Sequence, residues 1–296
     1  MLPFNNLPDN SKVDWFMQPT ATNEVHTWTK PVGCNFVYIV AAGGGGYGGN
    51  GFTRAAGVAG GGGGGGGSSQ LITMLVPAFL LPDTLFIKVG TGGKNATSTS
   101  AFPTIISAYR VTSATEYYLA SGNGLNGSNG TTSAGGTGSG ATIPAITNQT
   151  LGTIGKWQGV SSLGGSAGGI SSGSNGNGII FNYFLTGGCG GASTTSGDYA
   201  GGSVVSSFNQ PSALTVVSGG AIVANATAGQ NDGGDGYFIP KRFASYGGAG
   251  GGASNNGVGG RGGKGGPGSG GGGGGAGTTG GAGGDGGDGF AVIISY

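Results

Sequence analysis

The sequence predicts an all-β protein: a β-sandwich closed by N- and C-terminal strands, fused to a polyglycine-II helix bundle, with almost no α-helix. Three observations predict it. Glycine supplies 78 of the 296 residues and runs without interruption over 60–67. The apolar residues gather in short β-type runs, conspicuously at 36–40 and again at the C-terminal 290–296. No window of helical length keeps a 3.6-residue apolar period free of glycine.

Residues 1–25 form a head with no glycine; they carry Asp9, Lys12, Asp14 and Glu24 and the pair Trp15-Phe16. A glycine-free stretch beside a glycine-saturated body marks a boundary. The division is therefore an N-terminal attachment arm, 1–25, and a glycine-rich β-sandwich/polyglycine-II domain with variable loops, 26–296. Trp15 and Phe16 are read as buried anchors of the arm. The alternative is an N-terminal strand docked on its own domain. Residues 36–40 are apolar at every position, as in a short strand covered on both faces. Strands at 71–76 and 84–89 flank a turn bounded by Pro77 and Pro82. Weaker strand candidates lie at 115–120, 179–184, 204–208, 214–217, 221–226 and 236–239.

Glycine-rich blocks alternate with these strands at 43–51, 57–67, 90–93, 122–140, 164–178, 187–202, 229–236 and 247–289. Ordering a glycine costs more backbone entropy than ordering any other residue, so a repetitive source of stability is required. A polyglycine-II strand has three residues per turn and no internal hydrogen bond, and its N–H and C=O groups point outward. Without side chains, such strands approach closely and pair main chain with main chain, helped by Cα–H···O contacts. Bulk glycine then builds an interior of backbone. The alternative is a set of unrelated glycine loops.

Composition removes several functions. With 11 basic and 10 acidic residues and a formal net charge of +1, the chain cannot neutralise many phosphates, so no nucleic-acid partner is expected. Consecutive glycines beside 11 prolines do not fit collagen. Two cysteines, Cys34 and Cys189, do not make a disulfide scaffold, and synthesis in a cytoplasm favours free thiols. No apolar stretch is long enough to span a membrane, and residues 1–25 do not read as a secretory signal. Copies of G-x-G-x-x-G are not followed by a helix, and Asn95 stands where a phosphate loop needs Ser or Thr. His26 is the only histidine, no carboxylate pair stands out by its spacing, and neither an enzymatic activity nor a cofactor is expected. Asp232-Gly-Gly-Asp235 recurs as Asp285-Gly-Gly-Asp288, a weak calcium candidate. The plainer expectation is that each Asp accepts N–H bonds from the glycines that follow it.

Between the glycine blocks lie aromatic residues flanked by Ser, Asn and Gly: Tyr109, Tyr117, Tyr118, Trp157, Tyr183, Phe184, Tyr199, Phe208 and Tyr246. Rigid rings among small polar residues suit adaptable binding loops; the alternative for many of them is strand core. The run Trp28-Thr-Lys-Pro-Val-Gly, the FVYIVAAGGGG beginning at Phe36, LVPAFLLPDTLFIKVGTGG and the closing GGDGGDGFAVIISY resemble the glycine-rich domain of bacteriophage virion proteins over residues 26–296. The alternation of glycine blocks with variable segments is similar to the distal tail-fibre adhesins of T-even-type phages.

That resemblance implies a polyglycine-II bundle whose loops bind a host receptor, with an N-terminal part docked on the fibre. Segments 94–121, 141–163, 203–228 and 237–246 would be the receptor loops, with Tyr109, Tyr117, Tyr118, Trp157, Tyr199, Phe208 and Tyr246 as their contacts. Residues 1–25 would dock onto other virion proteins. The expected partner is a host surface glycan or an outer-membrane protein, with no membrane insertion, and the expected location is the virion, in multiple copies. The return to an apolar strand at the C-terminus departs from those adhesins and is the reason to expect a fused β-sandwich. Two other roles compete: a capsid decoration or head fibre, and an ice-binding protein.

Overall fold

The structure, a computed structural model, describes residues 10–17, 24–110, 118–140, 156–160, 164–169, 171–177, 185–194, 197–205, 216–240 and 243–296. These residues contain no α-helix; their named regular elements are β-strands and a turn of 3-10 helix at Ala78–Leu80. In chain order the strands begin with β1 (Lys12–Met17), β2 (His26–Thr29), β3 (Phe36–Ala42), β4 (Leu71–Pro77) and β5 (Thr84–Lys88). Next come β6 (Ile105–Ser107), β7 (Leu119–Ala120), β8 (Lys156–Val160), β9 (Gly176–Asn177) and β10 (Val204–Val205). The last are β11 (Val216–Val217), β12 (Phe238–Ile239), β13 (Ala244–Ser245) and β14 (Phe290–Ser295).

Five strands, in the order β1-β14-β3-β4-β8, form an antiparallel sheet. A second antiparallel sheet has the order β2-β5-β6-β7. The first and last strands pair, Lys12 opposite Ser295 and Met17 opposite Phe290. The glycine-free head is thus an edge strand of the larger sheet over residues 12–17, which is the docked strand weighed for it above. On its other side β14 meets β3, with Val292 opposite Val40.

The unbroken apolar run of β3 follows from cover on both faces. Val37, Ile39 and Ala41 share one buried cluster with Ile72 and Met74 of β4, Ile293 of β14, and Trp28, Leu85, Ile87 and Ile106 of the second sheet. Tyr38, Val40 and Ala42 alternate to the opposite side, among Phe290, Val292, Leu185 and Phe243. The proline-bounded turn closes no hairpin: β4 and β5 belong to different sheets, so residues 77–83 carry the chain from one to the other. Lys30 ties that crossover down, its Nζ donating to Leu81 O at 2.8 Å and pairing with Asp83 at 3.0 Å.

Of the weaker strand candidates, the described residues 119–120, 204–205, 216–217 and 238–239 are strands, while 115–117, 179–184, 206–208 and 214–215 lie outside the described residues. Residues 221–226 form none. Asn225 there sits at φ 51°, a left-handed conformation that an extended run cannot include.

Glycine runs leave the two sheets at one end, where β3 and β5 run out and β4 and β14 begin. Within the runs the hydrogen bonds repeat every third residue. Gly61, Gly64 and Gly67 donate to Thr131, Ser128 and Leu125 at 2.8–2.9 Å. Gly63, Gly66 and Ser69 donate to Gly274, Gly271 and Gly268, while Gly65 turns to a third neighbour, Ser166. The 43–51 run behaves alike: Gly45, Gly48 and Gly51 donate to Gly287, Gly284 and Gly281, and Gly46, Gly49 and Phe52 to Gly67, Gly64 and Gly61. Every glycine from 60 to 67 is buried. A Cβ on Gly63 would lie 2.0 Å from Gly49 O, and one on Gly65 2.0 Å from Gly188 O. Backbone touches backbone here, so only glycine fits.

Candidate functional site

The runs end together, at the end away from β3 and β14, in a tip built from residues 52–60, 131–134, 194, 197–199, 222–230, 253–258 and 277–280. Backbone pairings link these segments directly: Thr53 with Gly277, Gly60 with Thr194, Tyr199 with Ala253 and Val258 with Thr279. Gly57 supplies the tight turn over 55–58 at φ +75°. Its N–H donates to Asn255 O at 3.4 Å.

Arg54 holds the tip together from inside. It is 7% exposed, and its guanidinium donates to Thr194 Oγ1 at 2.9 Å, Ala55 O at 2.8 Å, Asn255 O at 2.6 Å and Ser254 O at 3.0 Å. A planar fork of donors is suited to collecting carbonyls from separate segments. Burial pulls its pKa below the usual guanidinium range, and the neighbouring Asp198 pushes the other way. Asp198 is itself engaged, accepting the Asn255 N–H at 2.6 Å. Both charged side chains among the described tip residues are therefore turned to internal use.

Along the flanks, Asn and Asp side chains stand in for absent glycine runs. Asn126 and Asn129 accept the Tyr47 and Asn50 amides through Oδ1 at 3.2 and 2.8 Å. The candidate calcium residues belong to the same device. Asp232 and Asp235 accept the amides of Arg261 and Lys264, each at 2.7 Å. Asp285 and Asp288 accept those of Asn95 at 2.9 Å and Gly92 at 2.7 Å. These donors sit on adjoining runs, whereas the sequence suggested the glycines following each Asp. Among the described residues no three His, Cys, Asp or Glu side chains are grouped as metal ligands.

The aromatic residues singled out in the sequence are not gathered at the tip. Tyr109 is 69% exposed, just beyond β6 at the end of the sheets away from the glycine runs. Tyr118, at that same end, is half-buried against the core, and burial raises its phenol pKa with help from Tyr109. Trp157 lies on the edge strand β8 opposite Met74. Tyr199 is half-buried at the tip, where it pairs with Ala253. Tyr246 is interior, 4% exposed and stacked on Tyr237 with ring centres 4.4 Å apart. Burial first, then Tyr246, pushes the Tyr237 phenol up to about 12. Tyr117, Tyr183, Phe184 and Phe208 lie outside the described residues.

In the head, Trp15 is 37% exposed and packs on Phe238 and Phe243 at 6.3 and 5.8 Å between ring centres; it is not the buried anchor expected. Phe16 is partly buried on the core, beside the His26 ring. Cys34 and Cys189 are not joined in a disulfide. The end of the sheets opposite the runs also carries an open groove of about 680 Å³ lined by Asn10, Asn35, Phe36, Pro77, Phe79 and Tyr296.

Sequence reasoning missed Arg54 and the tip segments. The available signal was FTRAAGVA at 52–59, a break of ordinary residues between two glycine runs. The chain matches no protein-family model, and no curated protein matches it in sequence.

Proposed function

We propose that this chain is a non-enzymatic phage virion protein of tail-fibre or adhesin type. A polyglycine-II scaffold fused to a β-sandwich displays loops for host attachment. The observation that carries this reading is the three-residue repeat of hydrogen-bond donation between the glycine runs. Three residues per turn with outward-pointing main chain is the geometry of the polyglycine-II helix, and hydrogen bonds in several directions make each run a strut braced by its neighbours. Such a body needs no catalytic groups; its value is rigidity. Loops held on a rigid scaffold commonly carry recognition, and here the tip is where the runs give way to ordinary residues.

In this reading the tip faces the host receptor, and the sheet end, with the N-terminal residues, faces other virion proteins in a multi-copy assembly. Met17 and Trp15 leave apolar area exposed on β1, which suits such a contact. Two experiments test the proposal. Purified protein should bind candidate host cells saturably, and immunogold labelling should decorate the tail fibre. Label confined to the capsid shell would contradict it in favour of a decoration role.

A further inference from the structure

We infer that Asn256 is a site of self-modification: its side chain closes a ring on the Gly257 nitrogen, loses ammonia and ends as aspartate or isoaspartate. This stands independently of the attachment reading above.

Ring closure makes three demands. The nitrogen of the next residue must leave any hydrogen bond it makes, the Asn side chain must swing onto it, and the next residue must be small. Glycine meets the last demand, having no Cβ to block the approach. The chain offers Asn-Gly seven times, at Asn50, Asn123, Asn126, Asn129, Asn175, Asn177 and Asn256. Gly178, which follows Asn177, lies outside the described residues.

Four of these pairs belong to the glycine runs, and there the attacking nitrogen is already engaged. Gly51 donates to Gly281 O at 2.9 Å, Gly124 to Gly44 O at 2.8 Å, Gly127 to Tyr47 O at 2.8 Å and Gly130 to Asn50 O at 2.9 Å. Side chains are engaged as well. Asn50, Asn126 and Asn129 accept the amides of Gly283, Tyr47 and Asn50 through Oδ1. Asn175 likewise accepts the Ser203 amide at 2.9 Å. At Asn50, Asn126 and Asn129 a bond at the nitrogen and a bond at the side chain must both break before the ring can close.

Asn256 is placed differently. It is exposed, in the middle of a bend over 255–257 at the tip. The residues around it are pinned: Asn255 N donates to Asp198 at 2.6 Å, and Asn255 O accepts Arg54 at 2.6 Å. Gly257 O accepts the Thr278 amide at 2.8 Å and its hydroxyl at 3.0 Å, and Val258 N donates to Ala226 O at 2.8 Å. Asn256 is held out in solvent between these anchors, and among the described residues no acceptor takes the Gly257 N–H.

The step balances without oxidant or reductant. The bond from Gly257 N to Asn256 Cγ forms, the Cγ–Nδ2 bond breaks, and the amide proton leaves with Nδ2 as ammonia. Water then opens the cyclic imide. Opening at Cγ leaves aspartate; opening at the main-chain carbonyl leaves isoaspartate, which adds a carbon to the main chain between 256 and 257. Gly257 has no room for that extra length, since even a Cβ on it would lie 2.4 Å from Ala226 N and O. Isoaspartate at 256 should therefore loosen residues 253–258, next to the Arg54 lock.

The test is to age the purified full-length protein at mildly alkaline pH and map amide-to-acid conversion by peptide mass spectrometry, with enzymatic methylation to read isoaspartate. Asn256 should convert about tenfold or more faster than Asn50, Asn126 and Asn129, the factor set by two ordinary hydrogen bonds that must first break. In denaturant the four rates should converge. Asn256→Gln, an exposed change, should melt like the parent and abolish conversion at 256. Conversion at Asn256 no faster than in the runs would overturn the inference. A preference for Asn256 that persists in denaturant would overturn it too, by tracing the difference to local sequence rather than to the fold.

Discussion

A single methyl group is enough to test a glycine contact. At Gly63 it would sit 2.0 Å from a carbonyl oxygen of the neighbouring run, so backbone must move. Gly63→Ala should cost about 3 kcal/mol or more, at the upper end for overpacking, and Gly63→Val should cost further and open the protein to protease. Gly140 is the contrast, because a Cβ there meets nothing within 4 Å. Gly140→Ala should be neutral or stabilising by about 0.4–1 kcal/mol, through the unfolded chain alone. Thermal melts of the two variants decide whether glycine is required by contact or merely by composition. Tyr237 gives a pH test. Its phenol titrates near 12 in the fold against 10.0 ordinarily. Below pH 10 both folded and unfolded chains hold the proton. Between the two values the unfolded chain releases it first, so stability falls as pH rises through that window. Tyr237→Phe should flatten this loss in alkaline denaturation curves.

Elements here are joined by two kinds of bookkeeping, period two in the sheets and period three in the glycine runs. Inserting one glycine into 60–67 should misdirect every later N–H to the wrong neighbour and lower the melting temperature sharply. Inserting three should keep each direction and be better tolerated. On the flanks, Asp285→Ala leaves the Asn95 amide without its acceptor and should cost about 1 kcal/mol. Asp285→Asn keeps an oxygen in place and should cost less; calorimetry separates the two. The same contrast explains what the sequence could say. Strands β3, β4, β5 and β14 were legible because their apolar runs are strong and their cover is apolar. Strand β8, Lys156–Val160, was not, because its polar KWQGV is held by pairing to β4, and pairing leaves little mark on composition. The 77–83 turn was legible as a turn, but its switch between sheets depends on partners distant in the chain.

At the scale of the whole molecule, the glycine runs separate two ends of different character. One end is a pair of sheets with an aromatic groove; the other is a neutral tip locked by Arg54. That lock was invisible in sequence because Thr194, Ser254 and Asn255 are brought to Arg54 only by the assembled runs. Arg54→Met should loosen residues 53–59 and 253–257 in hydrogen exchange while the sheets stay protected. The two ends are held apart by the middle of the molecule, where main chain serves as interior. Amide hydrogen exchange across residues 60–69 tests that most directly, because the amides of Gly61, Gly63, Gly64, Gly65, Gly66, Gly67 and Ser69 all donate to neighbouring runs. Protection comparable to that of β14 is the predicted result; exchange at the rate of a free glycine chain would contradict it.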